Sequence, residues 1–338
     1  MTHYYRPLLR FGDRPKAALT IGAQACWFDQ VEVLDRNAAP QIVPATDIPP
    51  EALDRLTRPR APIAGCDLSR PLIMGILNVT PDSFSDGGQF DRLDAAVEHA
   101  AQMQADGADL IDIGGESTRP GAAPVPVEDE IARTAPVIAA IRAQNPVPIS
   151  IDTRKGAVAA PAIENGADLI NDVAAFTFDP GLAALTAQSG LPVCLMHAQG
   201  DPETMQDNPQ YADVVLDVYD FLAERIAVAE AAGIARDKII VDPGIGFGKT
   251  IAHNLALLRG IAVFHALGCP ILLGASRKRF IGTIGGGTDA TDRVSGSVAV
   301  ALHAARQGVQ FLRVHDTFAT KQALDLEWAI GAAEQYDT

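Results

Sequence analysis

From residue 72 onward, short apolar runs alternate with stretches whose apolar positions recur every three to four residues. The first run, over 72–79, is aliphatic along most of its length, which predicts a strand buried on both faces inside an α/β protein. Equivalent runs follow over 110–114, 148–152, 169–173, 193–197, 239–242, 271–275 and 311–315. Helical periodicity fills the intervals and the C-terminal end, over 91–106, 128–142, 156–165, 179–188, 212–232, 252–267, 291–307 and 317–333. In the first of these, Leu93, Ala96, Val97, Ala100 and Met103 share one face and Gly107 ends it. Eight such units closing within about 250 residues predict an α/β fold of the (β/α)8 TIM-barrel type. An open doubly wound sheet is the alternative. It would more often carry a G-x-G-x-x-G turn after its first strand, and none is present here.

Residues 1–70 read differently. Short β-like runs over 17–22 and 25–34 give way to Pro40, Pro44, Pro49, Pro50, Pro59 and Pro62, with Pro50 placed to open a short helix through Leu56. The expectation is a small β-containing extension with a Pro-rich linker over 1–62, then the barrel over 63–338. The extension carries no candidate chemistry.

Composition narrows the partners. The net charge of −15, from 27 basic and 42 acidic residues, argues against a nucleic-acid or membrane-surface role but leaves room for a local cluster that binds a small anion. Cys26, Cys66, Cys194 and Cys269 lie far apart with no CxxC, so reduced thiols and a cytoplasmic setting are expected. Residues 1–10 have no apolar signal core, and no uncharged run is long enough to span a bilayer. Two glycine-rich stretches are decoys. The segment 244–250 lacks the first glycine of a phosphate loop, Pro243 standing there, and Gly285–Gly287 reads as a loop with no strand ahead of it.

The chemistry gathers at the strand ends. In order they offer Asn78; Asp112; Asp152; Asn171 with Asp172; Met196 with His197; Asp242; Ser276 with Arg277, Lys278 and Arg279; and Arg313 with His315 and Asp316. In a barrel these ends ring one mouth. Capping explains one or two polar strand ends, but eight unpaired buried groups are costly. Asp152, Asn171 and Asp242 suit the edge of an amidine-like heterocycle, while Arg277, Lys278, Arg313 and His315 form a basic side for an anion. Asn78 and Asp86 offer oxygen ligands to a divalent cation. His197 is as well read as a satisfied interior histidine, and Met196 and Phe247 either as core or as walls for a flat ring.

Eight motifs carry a resemblance: GILNVTPDSFSDGG (75–88), DIGGESTRPGA (112–122), SIDT (150–153), IND (170–172), LMHAQG (195–200), DPGIGFGK (242–249), GASRKRFIG (274–282) and RVHD (313–316). Each stands in order at its expected strand end, and from about Pro71 to the last helix the chain resembles the dihydropteroate synthases. The resemblance implies condensation of 6-hydroxymethyl-7,8-dihydropterin diphosphate with p-aminobenzoate, assisted by Mg²⁺, in a homodimer that sulfonamides inhibit. It implies a pterin site of Asp152, Asn171, Met196, Asp242, Phe247, Lys278 and Arg313. Asn78, Thr118, Arg313 and His315 would meet the diphosphate, with Asn78 also on the metal. Phe84, Thr118, Pro120, Ser276 and Arg279 would form the p-aminobenzoate site. Asp86, Arg119, Lys278 and Arg313 would act in catalysis. The chain departs from the pattern at Ala198, where Met is frequent, and at Arg279, where many relatives carry Ser. Rival readings are a folate-to-corrinoid methyltransferase, which has no need of the basic side, and an inactive pterin-binding paralogue, which would be free to lose Asp86 or Arg119.

Overall fold

The structure is a computed structural model that describes residues 3–22, 24–80, 89–117, 122–200 and 204–331. The N-terminal segment contains β1 (Tyr4–Pro7), β2 (Leu19–Thr20), β3 (Trp27–Phe28), β4 (Gln30–Leu34), β5 (Gln41–Pro44) and helix α1 (Pro50–Thr57). The eight expected units follow: β6 (Leu72–Asn78), α2 (Gln89–Ala105), β7 (Leu110–Gly114), α3 (Val127–Gln144), β8 (Ile149–Asp152), α4 (Gly156–Glu164), β9 (Leu169–Asp172), α5 (Gly181–Ser189), β10 (Val193–Met196), α6 (Val214–Ala231), β11 (Ile239–Asp242), α7 (Ile251–Gly260), β12 (Leu272–Leu273), α8 (Arg279–Gly285), α9 (Val294–Arg306), β13 (Phe311–Val314) and α10 (Thr317–Gly331). The parallel strands run in the order β11-β10-β9-β8-β7-β6-β13-β12, and a bridge between Val241 and Ile271 joins the two outer strands, closing the barrel.

Alternation along each strand sorts its side chains into two sets. Ile73, Ile111, Ile170, Leu195, Val241 and Leu312 belong to the large core under the helices. Met74, Leu110, Leu169, Cys194, Ile240, Leu272 and Phe311 fill the barrel interior, where Ile63 and Leu68, just ahead of β6, join them at the floor. Two residues further along, on the same inward face, stand Asp112, Asn171, Met196, Asp242 and Arg313. The period of the strand thus places a polar layer directly on an apolar plug.

The extension is a three-stranded antiparallel sheet, β1-β4-β5, with the β2-β3 hairpin beside it. Its own core of Ile21, Phe28, Val31, Ala45, Ile48, Ala52 and Leu56 reaches Ala266 beyond α7. Tyr4 is buried in the main core and its hydroxyl donates to Asp220 of α6 at 2.9 Å. Arg36 also reaches α6, meeting Asp217 and Asp220 at 2.7 Å each.

Four local features differ from expectation. β1 lies ahead of any run read as a strand. Gln41–Pro44 pairs as an edge strand despite its proline, because the outer edge of a sheet does not need the missing N–H. The helix expected over 252–267 continues past Gly260 as a 3-10 helix, Ile261–Leu267. Arg279–Gly285 is helical where a loop was expected, and Gly286, in the left-handed conformation at φ 87°, ends it.

Candidate active site

A cavity of about 680 Å³ opens at the C-terminal ends of the strands. Asn78, Asp152, Asn171, Met196, Asp242, Phe247, Ser276, Lys278, Arg279, Arg313 and His315 all line it. Every described residue that the family resemblance assigns to the site is therefore in one cavity. Phe84, Asp86, Thr118, Arg119 and Pro120 lie outside the described residues.

An ion cluster forms the floor. Arg313 donates through Nε to Asp112 at 2.5 Å and through Nη2 to Asp152 at 2.7 Å. Asn171 donates its amide to Asp112 at 3.2 Å. Asp112 was legible only as a polar strand residue. Structurally it is the post that holds both Arg313 and Asn171. The signal for it was positional, since it stands two residues before the end of β7 and so points inward with Leu110.

One cation between two carboxylates cannot satisfy both equally. Burial pushes Asp152 up to about 7, against the pull of Arg313 and with Asp112 adding to the rise. Burial works against the Arg313 charge as well, but Asp112 and Asp152 together outweigh it and raise its pKa. Across the cavity, burial raises Asp242, while the Gly244 N–H donates to its Oδ1 at 2.7 Å. Burial lowers Lys278 to about 7, against the attraction of Asp242. Its ammonium lies 4.2 Å from the Phe247 ring centroid and donates to the Ile245 carbonyl. Lys278 therefore sits with Phe247 and near Asp242, whereas strand order alone groups it with Arg277 and Arg313.

The rim is arranged separately. His315 Nδ1 and Ser276 Oγ are 3.0 Å apart. Arg277 also lines the cavity, but its guanidinium is bound through Nε and Nη2 by Asp316, and its N–H donates to Ser297 Oγ where its φ is 56°. Arg279 stands exposed as the first residue of α8. Two strand-end residues also leave the ring. His197 is buried behind Met196, against Phe221 and Lys249, and burial drives its pKa down. Asp172 faces outward and caps the turn, accepting from the N–H of Ala174 and Phe176.

The phosphate-loop decoy has a different explanation. A side chain on Gly244, at φ 66°, would place its Cβ 1.9 Å from the His197 carbonyl. The glycine is there because the turn after β11 presses on the end of β10.

Comparison with known proteins agrees with this geometry. A family profile described as pterin binding enzyme matches residues 74–315. Dihydropteroate synthase of Escherichia coli is 49% identical over 269 residues, covering 80% of this chain and 95% of its own length. The chain belongs to the dihydropteroate synthases, within the pterin-binding enzymes. Among solved structures, the Xanthomonas albilineans dihydropteroate synthase with 4-aminobenzoic acid is similar at a TM-score of 0.76 and 49% identity, covering 81% of this chain and 98% of that one. The Yersinia pestis dihydropteroate synthase in a sulfonamide drug complex is similar at 0.74 and 48%, covering 79% and 96%. The fold is the one the family members share, a (β/α)8 barrel, here carrying the N-terminal sheet.

The raised pKa of Asp242 has a consequence for stability. Its folded-state pKa lies above the unfolded value, so ionising it costs stability, fully above the folded pKa and not at all below the unfolded one. Asp242→Asn keeps an oxygen for Gly244 and removes the charge. The variant should melt at or above wild type near about pH 8, with the difference vanishing toward about pH 4. Melting below wild type at the higher pH alone would show instead that the carboxylate stabilises the fold.

Proposed function

We propose that the chain condenses 6-hydroxymethyl-7,8-dihydropterin diphosphate with p-aminobenzoate to give 7,8-dihydropteroate and diphosphate. The observation that carries this reading is the floor itself, with three buried carboxylates, Asp112, Asp152 and Asp242, against two cations, Arg313 and Lys278. Such a floor is short of hydrogen-bond donors. A pterin presents a row of ring N–H and amino donors along one edge, which supplies them. Asp152, Asn171, Asp242 and Lys278 hold that edge, and Met196 and Phe247 flank the flat ring.

Arg313 commits Nε and Nη2 to carboxylates, and its Nη1 remains to meet a diphosphate oxygen. Asn78, His315 and Thr118 complete the diphosphate side. The family resemblance assigns Phe84, Thr118, Pro120, Ser276 and Arg279 to the p-aminobenzoate side and Asp86 and Arg119 to catalysis.

The reaction needs no covalent nucleophile from the chain. The bond from the pterin methylene carbon to the diphosphate oxygen breaks, leaving a cation that the electron-rich dihydropterin stabilises. The amine nitrogen attacks that carbon and loses a proton to solvent. The protein's part is to orient the ring, neutralise the departing anion and hold the amine in line.

Mg²⁺ fits as the diphosphate's companion. Asp112 and Asp152 are engaged with Arg313, and among the described residues no group of three acidic, His or Cys side chains is placed to bind a metal alone. The Asn78 carboxamide oxygen at the rim suits an ion that takes one or two protein ligands and the rest from phosphate and water. When bound, the ion supplies positive charge to the leaving group.

The reading includes a homodimer, supported by the exposed apolar side chains Phe318, Leu326 and Ile330 spaced along one face of α10. It includes a cytoplasmic setting, supported by four free cysteines. Among the described residues no helix is long and apolar enough to cross a membrane. It places the boundary between the extension and the barrel at Pro62/Ile63, which keeps the plug residues Ile63 and Leu68 with the barrel they seal.

Diphosphate release tests the activity. It should require both substrates and Mg²⁺, and a sulfonamide should compete with p-aminobenzoate. Release without the amine, no release, or methyl transfer from a folate to a corrinoid protein would refute the reading. Arg279 is tested by steady-state kinetics. Arg279→Ala should raise KM for p-aminobenzoate several-fold, by the loss of roughly one charge-assisted hydrogen bond, and leave KM for the pterin unchanged. An unchanged KM for the amine would remove Arg279 from the site.

A further inference from the structure

Two lysines are deeply buried beside the cavity, and their surroundings differ. Lys155 lies between Glu116 at 3.0 Å and Glu130 at 2.7 Å. Lys249 has no carboxylate within bonding distance among the described residues. Its Nζ meets the Phe247 carbonyl at 2.9 Å, the His197 carbonyl at 3.3 Å and His197 Nδ1 at 2.8 Å. Burying an amine without a counter-charge is costly, and burial drives the pKa of this one well down. The three contacts suit either form of the amine. A neutral amine gives its two hydrogens to the carbonyls and accepts from His197 Nδ1–H, while an ammonium donates to all three with the other imidazole tautomer.

The two carbonyls belong to residues that bracket the cavity. His197 directly follows Met196, a wall of the cavity, and its N–H donates to the Asp242 carbonyl at 3.0 Å. Phe247 also lines the cavity, with Lys278 lying on its ring. Lys249 itself does not line the cavity. The turn that carries Phe247 has further ties from outside the cavity. Tyr211 donates its hydroxyl to the Gly248 carbonyl at 2.8 Å, Gln206 donates to the Gly246 carbonyl at 2.6 Å, and the Gly246 N–H donates to Asn254 at 2.7 Å. Of these groups, Lys249 alone hydrogen-bonds both the turn and His197 at the end of β10, while the Tyr211 ring packs 5.9 Å from the His197 ring.

We propose that Lys249 is a positioning residue that sets the gap between Met196 and Phe247, and with it the affinity for the flat ring substrate. This rests on the pterin reading of the cavity. Loss of the amine leaves two buried carbonyls unpaired, and the turn relaxes away from β10, opening the slot without touching the reacting atoms.

The test is Lys249→Met, which keeps the length and removes the amine, beside Lys249→Gln, which returns an N–H donor. In Lys249→Met the Kd by calorimetry for 6-hydroxymethyl-7,8-dihydropterin and the KM for its diphosphate should both rise about tenfold, the loss of about one buried hydrogen bond. KM for p-aminobenzoate and kcat at saturation should stay within about twofold, and Lys249→Gln should recover part of the loss. A role only in stability would lower the melting temperature and the active fraction, reducing kcat while leaving Kd and KM unchanged, and that result overturns the proposal. If Lys249→Met does not fold, Tyr211→Phe loosens the same turn by one hydroxyl. A pterin Kd raised about threefold would support the proposal, as a weaker tie to the same turn, and an unchanged one would overturn it. Wild-type protein that fails to bind the pterin overturns the reading of the cavity, whereas wild type that binds and Lys249→Met that binds equally overturns this inference alone.

Discussion

Charge imbalance in a dry place governs this molecule. Asp112, Asp152 and Asp242 stand at the mouth of a barrel whose interior below them is Met74, Leu110, Leu169, Cys194, Ile240, Leu272 and Phe311, sealed underneath by Ile63 and Leu68. Water cannot screen these carboxylates from beneath, so the cations they hold matter more than on a surface. Arg313 serves two of them, and Lys278 acts on the third only through space, which leaves the floor acceptor-rich. On the proposed reading donors from a ring edge complete it, and the same deficit makes the site without them costly to the fold.

The rest of the architecture keeps that arrangement in place. Strand alternation puts the polar layer two residues above the apolar one on β7, β9, β11 and β13, so the floor's geometry follows from the register of the barrel. The turn after β11 presses close enough on β10 that Gly244 admits no side chain. On the far side, Glu116 accepts from the Val125 N–H at 2.9 Å and from Lys155, tying the loop after β7 to the loop after β8. The N-terminal sheet rests on α6 through Tyr4 and Arg36.

Much of this was legible in the sequence because both periodicities are strong. Aliphatic runs buried on both faces mark parallel strands, and the polar residue closing each one marks the mouth. What was less legible depended on tertiary partners. Arg277 looks like an anion ligand until Asp316, three residues past Arg313, is found bound to it. His197 and Asp172 look like ring members, but a strand-end residue faces into the barrel or away from it according to a one-residue change in register. Asp112 looks like one acid among many, and its importance appears only when Arg313, 201 residues later, is seen to lean on it. Edge strand β5 and helix α8 were hidden by prolines and glycines that mark their ends and not their absence.

The claim that this floor selects its ligand by lacking donors is tested most directly at a residue the ligand does not touch. Asp112 is buried and does not line the cavity. In Asp112→Asn, Arg313 keeps an oxygen acceptor but loses the charge of one of its two carboxylates, so its own charge goes wholly to Asp152, satisfying the carboxylate that the ring edge would otherwise complete. Calorimetry with 6-hydroxymethyl-7,8-dihydropterin should then show affinity weakened about tenfold or more, as expected for about one lost charge-assisted hydrogen bond. An unchanged affinity in a folded Asp112→Asn protein would contradict the account.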